Sequence, residues 1–236
     1  IAASITDGYN LVGDLSCGIG ESTSFLEDSL TTKTNNSMMM VGVDIDRNSI
    51  IEAVKRGIRN HSYSQLDLGE SGLRSKISRI NNGRADFNGI ASIETIEHIR
   101  PILAVDVLLS NLHDLLIAKN GTLVISSPNR RFFANDRYHP YTIFHAQEFN
   151  VDEFSEILDK AKFEFQIFAQ RPVASRLVSA FDGLRKLANQ LPQYRRHIGK
   201  VISMSTNVGN LNPAVVAWEN DGQLEPKYLI AVCKPR

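Results

Sequence analysis

The sequence predicts an α/β protein with a doubly wound, mostly parallel sheet, and three observations support this fold class. Short apolar runs alternate with helical patterns, which is typical of parallel strands joined by crossover helices. A glycine-rich turn, Cys17–Gly20, lies between the first predicted strand and the first predicted helix. The 236 residues, 42% of them hydrophobic, suffice to bury the core of a single domain spanning 1–236.

Seven segments have the length and composition of strands. The run Met38–Val43 is apolar throughout, which is typical of a parallel strand buried on both faces. The segment Phe163–Ala169 alternates between apolar and polar residues, and Pro128 stops the strand before it. In chain order, the predicted strands are Leu11–Leu15, Met38–Val43, Ser62–Leu66, Asn88–Ile93, Thr122–Ser126, Phe163–Ala169 and Tyr228–Cys233.

Helices are predicted between these strands from periodicity and capping residues. The first follows Gly20, and either Asp46 or Asn48 opens the second. The apolar residues of Ile102–Leu116 recur at helical spacing, and Asn120 with the glycine after it ends that helix. Asn150 caps a further helix predicted over 151–162, with a glutamate three residues beyond the cap.

Charge and cysteine content exclude several classes of protein. Lys plus Arg and Asp plus Glu both number 26, so the net charge is zero and a globally basic nucleic-acid binder is excluded. The longest apolar stretch, Ile102–Ala118, carries three charged or ionisable residues and therefore does not span a membrane. With only Cys17 and Cys233 and no visible signal peptide, we expect reduced thiols and a cytoplasmic protein.

A long segment, 171–225, separates the last two predicted strands. We expect it to be an insertion that covers the binding site of a substrate, which is called the acceptor below. An amphipathic helix is predicted there from apolar residues at helical spacing, which are Leu177, Phe181, Leu184, Leu187 and Leu191. The first half of the long segment, residues 171–200, is also basic, through Arg171, Arg176, Arg185, Lys186, Arg195, Arg196 and Lys200. Together with Arg130, Arg131 and Arg137 elsewhere, these residues favour an anionic acceptor, or else form a solvated helix face.

The segment Asp14–Gly20 offers a ligand site at the end of the first predicted strand. Gly18 and Gly20 let the backbone approach a ligand, and the helix that follows offers free N–H groups. A dinucleotide fingerprint would have a third glycine or alanine where this chain has Thr23, so an NAD-dependent dehydrogenase is a distant alternative. Asp14 favours a cationic ligand over a pyrophosphate, and a plain strand–helix turn is the structural alternative.

Acidic residues also follow the second and third predicted strands. Asp44 is placed to accept hydrogen bonds from both ribose hydroxyls of a nucleoside, whereas Asp46 is interpreted as the cap of the next helix. Asp67 lies in the loop after the third strand, where it can accept a hydrogen bond from the exocyclic amine of adenine. These positions predict a nucleoside-binding edge of the sheet.

Taken in this order, the motifs resemble those of class I S-adenosylmethionine-dependent methyltransferases over about residues 9–170 and 227–235. Ile90–Ile99, Gly121–Arg130 and Phe144–Phe149 are similar to the branch that includes ubiquinone-biosynthesis O-methyltransferases. The resemblance implies a Rossmann-like seven-stranded sheet with an antiparallel last strand, and S-adenosylmethionine as cofactor. The cofactor-binding residues that it implies are Asp14, Cys17, Gly18, Gly20, Asp44, Ile45, Asp67, Leu68 and Glu94.

Two features depart from the family pattern. Ser16 stands where the family often has glycine, a small change that we expect the fold to tolerate. The family's usual N-terminal helices, which commonly cover the acceptor, are absent from this sequence, and we expect an N-terminal segment to be missing from it.

Methyl transfer from a sulfonium is an in-line displacement, so the acceptor atom must be held close to the methyl group. A hydroxyl acceptor also loses a proton. His98, just past the fourth predicted strand, is the candidate base because histidine titrates near neutral pH. In the alternative interpretation, Glu97 and His98 only begin a helix.

A divalent metal site is a second hypothesis for the same region. Glu94, Glu97, His98 and the distant His145 supply two carboxylates and two imidazoles, which can bind Mg²⁺, Mn²⁺ or Zn²⁺. This set resembles the metal site of small-RNA 3′-end 2′-O-methyltransferases, in which the ion holds the acceptor hydroxyls. Glu148, three residues after His145, also fits the sequence around the metal-binding histidine of that family.

We therefore expect a methyltransferase that acts on a hydroxyl of a small molecule. A metal-assisted RNA 2′-O-methyltransferase and a cofactor-binding module without turnover are the alternatives. The basic stretch and the Glu/His set favour RNA, whereas the zero net charge counts against it.

Overall fold

The computed structural model describes residues 1–58, 60–100, 103–134, 143–170, 173–175, 215–217 and 224–236. The strands, β1 to β10, are Leu11–Leu15, Met39–Asp44, His61–Gln65, Gly89–Ser92, Thr122–Pro128, Phe163–Gln170, Val173–Ser175, Val215–Ala217, Leu224–Pro226 and Tyr228–Pro235. The α-helices, α1 to α6, are Glu21–Thr34, Arg47–Lys55, Leu73–Ile80, Ala104–Leu116, Arg130–Ala134 and Val151–Lys160. All seven predicted strands are present.

Eight strands form one sheet in the order β3-β2-β1-β4-β5-β10-β6-β8. The strands from β3 to β5 are parallel, and β10 lies between β5 and β6, antiparallel to both. The expected seven-stranded, Rossmann-like sheet with an antiparallel last strand is therefore confirmed. The sequence did not predict β8, which adds an eighth strand at the edge beside β6, or the small pair formed by β7 and β9.

The residues that cap α2 and α6 are those that the sequence analysis named as caps. Asp46 caps α2, because its side chain accepts the backbone N–H of Ser49 at 2.8 Å. Asn150 and Glu153 form a complete capping box at the start of α6. The sequence analysis did not predict α3, whose buried face consists of Leu73 and Ile77 alone.

From β1, the chain continues to β2 and β3 on one side of the sheet and to β4 and β5 on the other. At this reversal, the carboxyl ends of β1, β2 and β4 border one crevice. β1 and β4 lie next to each other inside the sheet and are buried at every position. Cys17 and Cys233 are both buried and form no disulfide.

The predicted helix within 177–191 and the basic residues of 171–200 lie outside the described residues, and so does Arg137. The described parts of the long segment before β10 are the short strands at 173–175, 215–217 and 224–226. Within the described residues, no helix is long and apolar enough to cross a membrane.

Candidate cofactor and acceptor site

The loop after β1 turns through three residues with positive φ, which are Ser16 (+94°), Gly18 (+52°) and Gly20 (+82°). The Ser16 N–H donates to the carbonyl oxygen of Val43 at 2.7 Å, which ties the loop to β2. A Cβ at Gly18 would meet nothing within 4 Å, so the loop is open to a ligand there. A Cβ at Gly20 would lie 2.7 Å from the phenol oxygen of Tyr63, so the missing side chain of this glycine makes room for the tyrosine.

Asp14 is buried beneath this loop, near the end of β1. Its Oδ2 accepts hydrogen bonds from the hydroxyls of Ser22 and Thr23, both at 2.7 Å. Burial raises the pKa of Asp14, the two hydroxyls lower it, and the nearby charge of Asp44 raises it further. A cationic ligand group beside Asp14 would offset both the burial and the repulsion.

Asp44 ends β2 and faces the same loop. Its Oδ2 accepts the N–H of Gly18 at 2.8 Å, and its Oδ1 accepts the N–H of Asp46 at 2.9 Å. These two bonds fix the plane of the carboxylate, and each oxygen retains a second lone pair. Ile45, the next residue, is 64% exposed and offers an apolar surface beside the carboxylate.

The loop after β3 carries Asp67. Its Oδ1 accepts the N–H of Gly69 at 2.8 Å, which forms an Asx turn. The N–H of Leu66 donates to the carbonyl oxygen of Asp44 at 3.0 Å, so this loop is tied to the end of β2. Leu68 packs into the main core and so supports the loop from below.

Cys17 lies in the glycine loop and is buried. Burial, together with the charges of Asp14 and Asp44, raises the pKa of its thiol to about 12. The thiol is therefore neutral at physiological pH and packs against β2 at Gly42, so it does not act as a nucleophile.

The segments after β4 and before α6 bring together three of the residues that the sequence proposed as metal ligands. One ligand atom from each of Glu97, His98 and His145 lies within 4.8 Å of the others. The two histidine rings meet edge to face, with their centroids 4.9 Å apart. The backbone N–H of Ala146 donates to the carbonyl oxygen of Glu97 at 2.7 Å and holds the two segments together.

Hydrogen bonds orient both imidazole rings. Nδ1 of His145 lies 2.6 Å from Oε1 of Glu148, and Nδ1 of His98 lies 3.2 Å from the carbonyl oxygen of Phe144. A carboxylate and a carbonyl only accept hydrogen bonds, so each Nδ1 carries the hydrogen. In the neutral rings, each Nε2 then presents a lone pair, which is the arrangement that a metal ligand or a base needs.

Glu97 is a buried acid, with 1% of its surface exposed, and among the described residues its Oε2 has no hydrogen-bond partner. Burial, followed by the charge of Glu94, raises its pKa to about 8. A buried carboxylate oxygen without a partner is costly, so it favours either a proton or a cation at this point.

Glu94 lies close by but is not one of the three clustered residues. It has a left-handed φ of +51°, and its Oε1 accepts the hydroxyl of Ser126 at 2.7 Å. The same hydroxyl oxygen accepts the N–H of Glu94 at 2.9 Å. Burial raises the pKa of Glu94, while Ser126 and the charge of His145 lower it.

The proposed anion-binding role of Arg130 and Arg131 is not favoured by their contacts. Arg130 pairs with Glu153 at 2.7 Å, and Arg131 pairs with Asp152 at 3.0 Å. Both ion pairs fasten α5 to the start of α6.

Sequence reasoning missed two supporting residues, Ser126 and Tyr63. Ser126 sits on β5 beside the end of β4, and only the strand order reveals that it faces Glu94. Tyr63 on β3 lies opposite Gly42 on β2. A glycine within a strand often marks the close approach of another group, so Gly42 was the sequence signal that could have pointed to Tyr63.

The strand order and the carboxylates at the edge of the sheet define the class of fold, and comparison with solved structures agrees. No protein-family model and no curated protein matches the chain. A methyltransferase dependent on S-adenosylmethionine from Archaeoglobus fulgidus shares 17% identity over 96% of this chain and 86% of its own, with a TM-score of 0.56.

Two further solved structures are similar. The plantazolicin methyltransferase BamL, in complex with a triazolic desmethylPZN analog and S-adenosylhomocysteine, shares 14% identity over 95% of this chain and 76% of its own, with a TM-score of 0.54. The [4+2]-cyclase SpnF shares 14% identity over 97% and 76%, with a TM-score of 0.53. These likenesses establish the class I methyltransferase fold.

Proposed function

We propose that this protein is an S-adenosylmethionine-dependent methyltransferase that acts on a hydroxyl of a small molecule. The observation that carries the proposal is the placement of Asp14, Asp44 and Asp67 at or just beyond the carboxyl ends of three adjacent parallel strands, beside a loop that is open at Gly18. The likeness to methyltransferase structures supports it, and BamL, which has a small-molecule analog bound, supports the class of acceptor.

Each residue at this edge has a proposed role. The oriented carboxylate of Asp44 accepts hydrogen bonds from the two ribose hydroxyls, through the lone pairs that the backbone leaves available. Asp14 faces the ammonium group of the methionine end, with Gly18 and Gly20 shaping the loop around it. Asp67 accepts from the adenine amine, and the exposed side chain of Ile45 covers one face of the ring.

His98 is the proposed base for an acceptor hydroxyl. As the new C–O bond forms, the bond between the methyl carbon and sulfur breaks, S-adenosylhomocysteine leaves, and the hydroxyl proton passes to Nε2 of His98. The ring is 48% exposed on its side chain and is held through Nδ1, so Nε2 is free to accept. The similarity of Ile90–Ile99 to the ubiquinone-biosynthesis branch favours oxygen as the methylated atom.

A divalent metal at Glu97, His98 and His145 is a second candidate for the same site, with Glu94 as a neighbouring carboxylate. Two observations favour it: Oε2 of Glu97 has no hydrogen-bond partner in the described part of the chain, and the Nε2 atoms of both histidines are oriented. A bound Mg²⁺, Mn²⁺ or Zn²⁺ would supply Lewis-acid polarisation of an acceptor hydroxyl. A metal-assisted RNA 2′-O-methyltransferase is the alternative function that this site would serve.

Turnover assays with and without metal distinguish these candidates. We expect S-adenosylhomocysteine to form from S-adenosylmethionine with phenolic or polyol acceptors in the presence of EDTA. Activity that appears only with Mn²⁺ and a short single-stranded RNA with a free 3′ end would replace the small-molecule proposal with the RNA alternative. Cofactor binding without turnover on either acceptor class would indicate a binding module.

A further inference from the structure

The loop that carries Asp67 is fastened to α4 by the side chain of Asn111. Nδ2 of Asn111 donates to the carbonyl oxygen of Glu70 at 2.7 Å and to that of Leu68 at 3.3 Å. The amide group carries two hydrogens, so each carbonyl oxygen takes one of them. The side chain of Asn111 therefore joins a helix and a loop that are far apart in the sequence.

The two carbonyl groups lie on either side of Gly69, the residue that orients Asp67. Oδ1 of Asp67 accepts the N–H of Gly69 at 2.8 Å, and the carbonyl oxygen of Asp67 accepts the N–H of Glu70 at 3.3 Å. The orientation of the Asp67 carboxylate thus depends on where the backbone of residues 68–70 lies. Asn111 fixes that backbone at two points.

The loop backbone also rests against the start of α4. A Cβ at Gly69 would lie 3.2 Å from the Cβ of Ala104, so the loop cannot move closer to the helix there. Leu68 is buried in the main core and holds the loop from the same side. Ala104 therefore limits motion of the loop toward α4, and the hydrogen bonds of Asn111 oppose motion away from it.

Asn111 is a polar residue on a buried helix face, with 7% of its surface exposed. All the other buried residues of α4 are apolar. An amide at such a position is costly unless its hydrogens are bonded, and the loop supplies the two acceptors. Removal of the amide would in turn take a donor from both carbonyl groups, and the loop would shift to satisfy them.

We propose that Asn111 is a positioning residue that sets the preference of this site for adenine over hypoxanthine, by holding the Asp67 carboxylate at the exocyclic amine of the base. This inference rests on the proposed function, because it takes S-adenosylmethionine as the ligand. Asn111 acts through the backbone of residues 68–70 and makes no contact with the cofactor itself.

Adenine and hypoxanthine differ in the group that Asp67 would face. The amine of adenine donates to a carboxylate, whereas hypoxanthine has a carbonyl oxygen on the same carbon, which only accepts. Two acceptors that cannot move apart repel each other, so a fixed Asp67 rejects hypoxanthine. A carboxylate released from its position can turn toward water, and the rejection becomes weaker.

The test measures the affinities of S-adenosylhomocysteine and S-inosylhomocysteine, which differ only in this base, by calorimetry. The proteins are the wild type, Asn111→Ala and the control Asn81→Ala, each shown to be folded by urea unfolding. Asn81 is also buried and donates through Nδ2 to a carbonyl oxygen, that of Arg84 at 3.2 Å. It follows the last residue of α3, whereas the loop precedes the first, so the control removes a similar amide away from the loop.

We expect the wild type to bind S-adenosylhomocysteine at least about twentyfold more tightly than S-inosylhomocysteine. Asn111→Ala should weaken S-adenosylhomocysteine about five- to tenfold and change S-inosylhomocysteine less than about twofold. Asn81→Ala should leave the preference for adenine unchanged. Asn111→Ser, made in case the alanine variant does not fold, should show the same loss of preference.

Equal weakening of both ligands in a folded Asn111 variant would overturn the inference, because it would indicate a general distortion of the site. A preference that stays unchanged, or a wild type that does not distinguish the two bases, would overturn it as well. A folded wild type that binds neither ligand would instead refute the proposed function, so the two failures are distinguishable.

Discussion

Replacement of Glu97 by glutamine should make the stability of the metal-free protein much less sensitive to pH. Glu97 is buried, and burial together with the charge of Glu94 raises its pKa from 4.5 to about 8. Below about pH 4.5 the acid is protonated in both the folded and the unfolded chain, so it does not oppose folding. As the pH rises from 4.5 to about 8, the unfolded chain ionises first, and the free energy of unfolding falls.

The size of this effect follows from the same values. At about 1.4 kcal/mol for each pH unit, the loss for Glu97 between pH 5 and pH 8 is about 4 kcal/mol. Glutamine has nearly the same shape and does not ionise. The buried amide changes the free energy of unfolding by an amount that does not depend on pH. Every other titrating group is present in both proteins, so its contribution cancels in the difference.

The assay is urea unfolding at pH 5, 6, 7 and 8, in EDTA, for the wild type and Glu97→Gln. The difference in unfolding free energy, variant minus wild type, should rise by about 4 kcal/mol over this range. If the metal candidate is correct, added Mn²⁺ stabilises the wild type more at pH 8 than at pH 5, because protons compete for the ligand atoms, and does not stabilise the variant. A difference that stays constant with pH would refute the burial argument for Glu97.

Three further variants test the site and the sheet. Ser16→Gly should stabilise the protein by about 1–2 kcal/mol in urea unfolding, because it relieves a φ of +94° at a non-glycine residue, and an unchanged or lower stability would contradict this. Gly42→Ala should destabilise it by about 2 kcal/mol or more in the same assay, because the new methyl overlaps the Tyr63 ring, and a neutral effect would mean that the ring moves freely. His98→Ala should lower kcat at least about a hundredfold with little change in cofactor affinity, and wild-type turnover would remove His98 from the mechanism.

The sequence predicted the sheet well because most of its strands are buried and strongly apolar. The bounds of β1 are those predicted, and β2 and β5 differ by one or two residues. β8 was missed because it is a three-residue edge strand within a segment rich in glycine and asparagine. α3 was missed because it spans only eight residues with two buried apolar positions, too few to set a helical period.

The candidate site was partly predictable for the same reason. Asp14, Asp44 and Asp67 come at the ends of parallel strands, and the topology of such sheets places strand ends together. The meeting of Glu97 and His98 with the distant His145 was expected from the residue types and from the family resemblance, and it is present in the structure, although Glu94 is not one of the clustered residues. Whether that group takes a metal or a proton depends on chemistry that residue spacing does not specify.

The strain at Ser16 and the contact between Gly20 and Tyr63 could not be predicted. The cofactor-binding role of Gly20 stays a prediction, and the structure adds that the missing side chain of this glycine makes room for Tyr63. β3 has the sequence His-Ser-Tyr-Ser-Gln and is half-buried up to the exposed Gln65, so its pattern gives no sign that Tyr63 reaches the loop after β1. Such contacts depend on the register between β2 and β3, which a single sequence does not define.

The most direct test of the account is calorimetric titration of the folded protein with S-adenosylhomocysteine, alongside Asp44→Ala. We expect one site with a micromolar dissociation constant in EDTA, and an affinity at least about tenfold weaker in the variant, because two ribose hydroxyls lose their acceptor. A folded wild-type protein that gives no binding signal, or a variant that binds equally well, would contradict the assignment of this edge of the sheet to the cofactor.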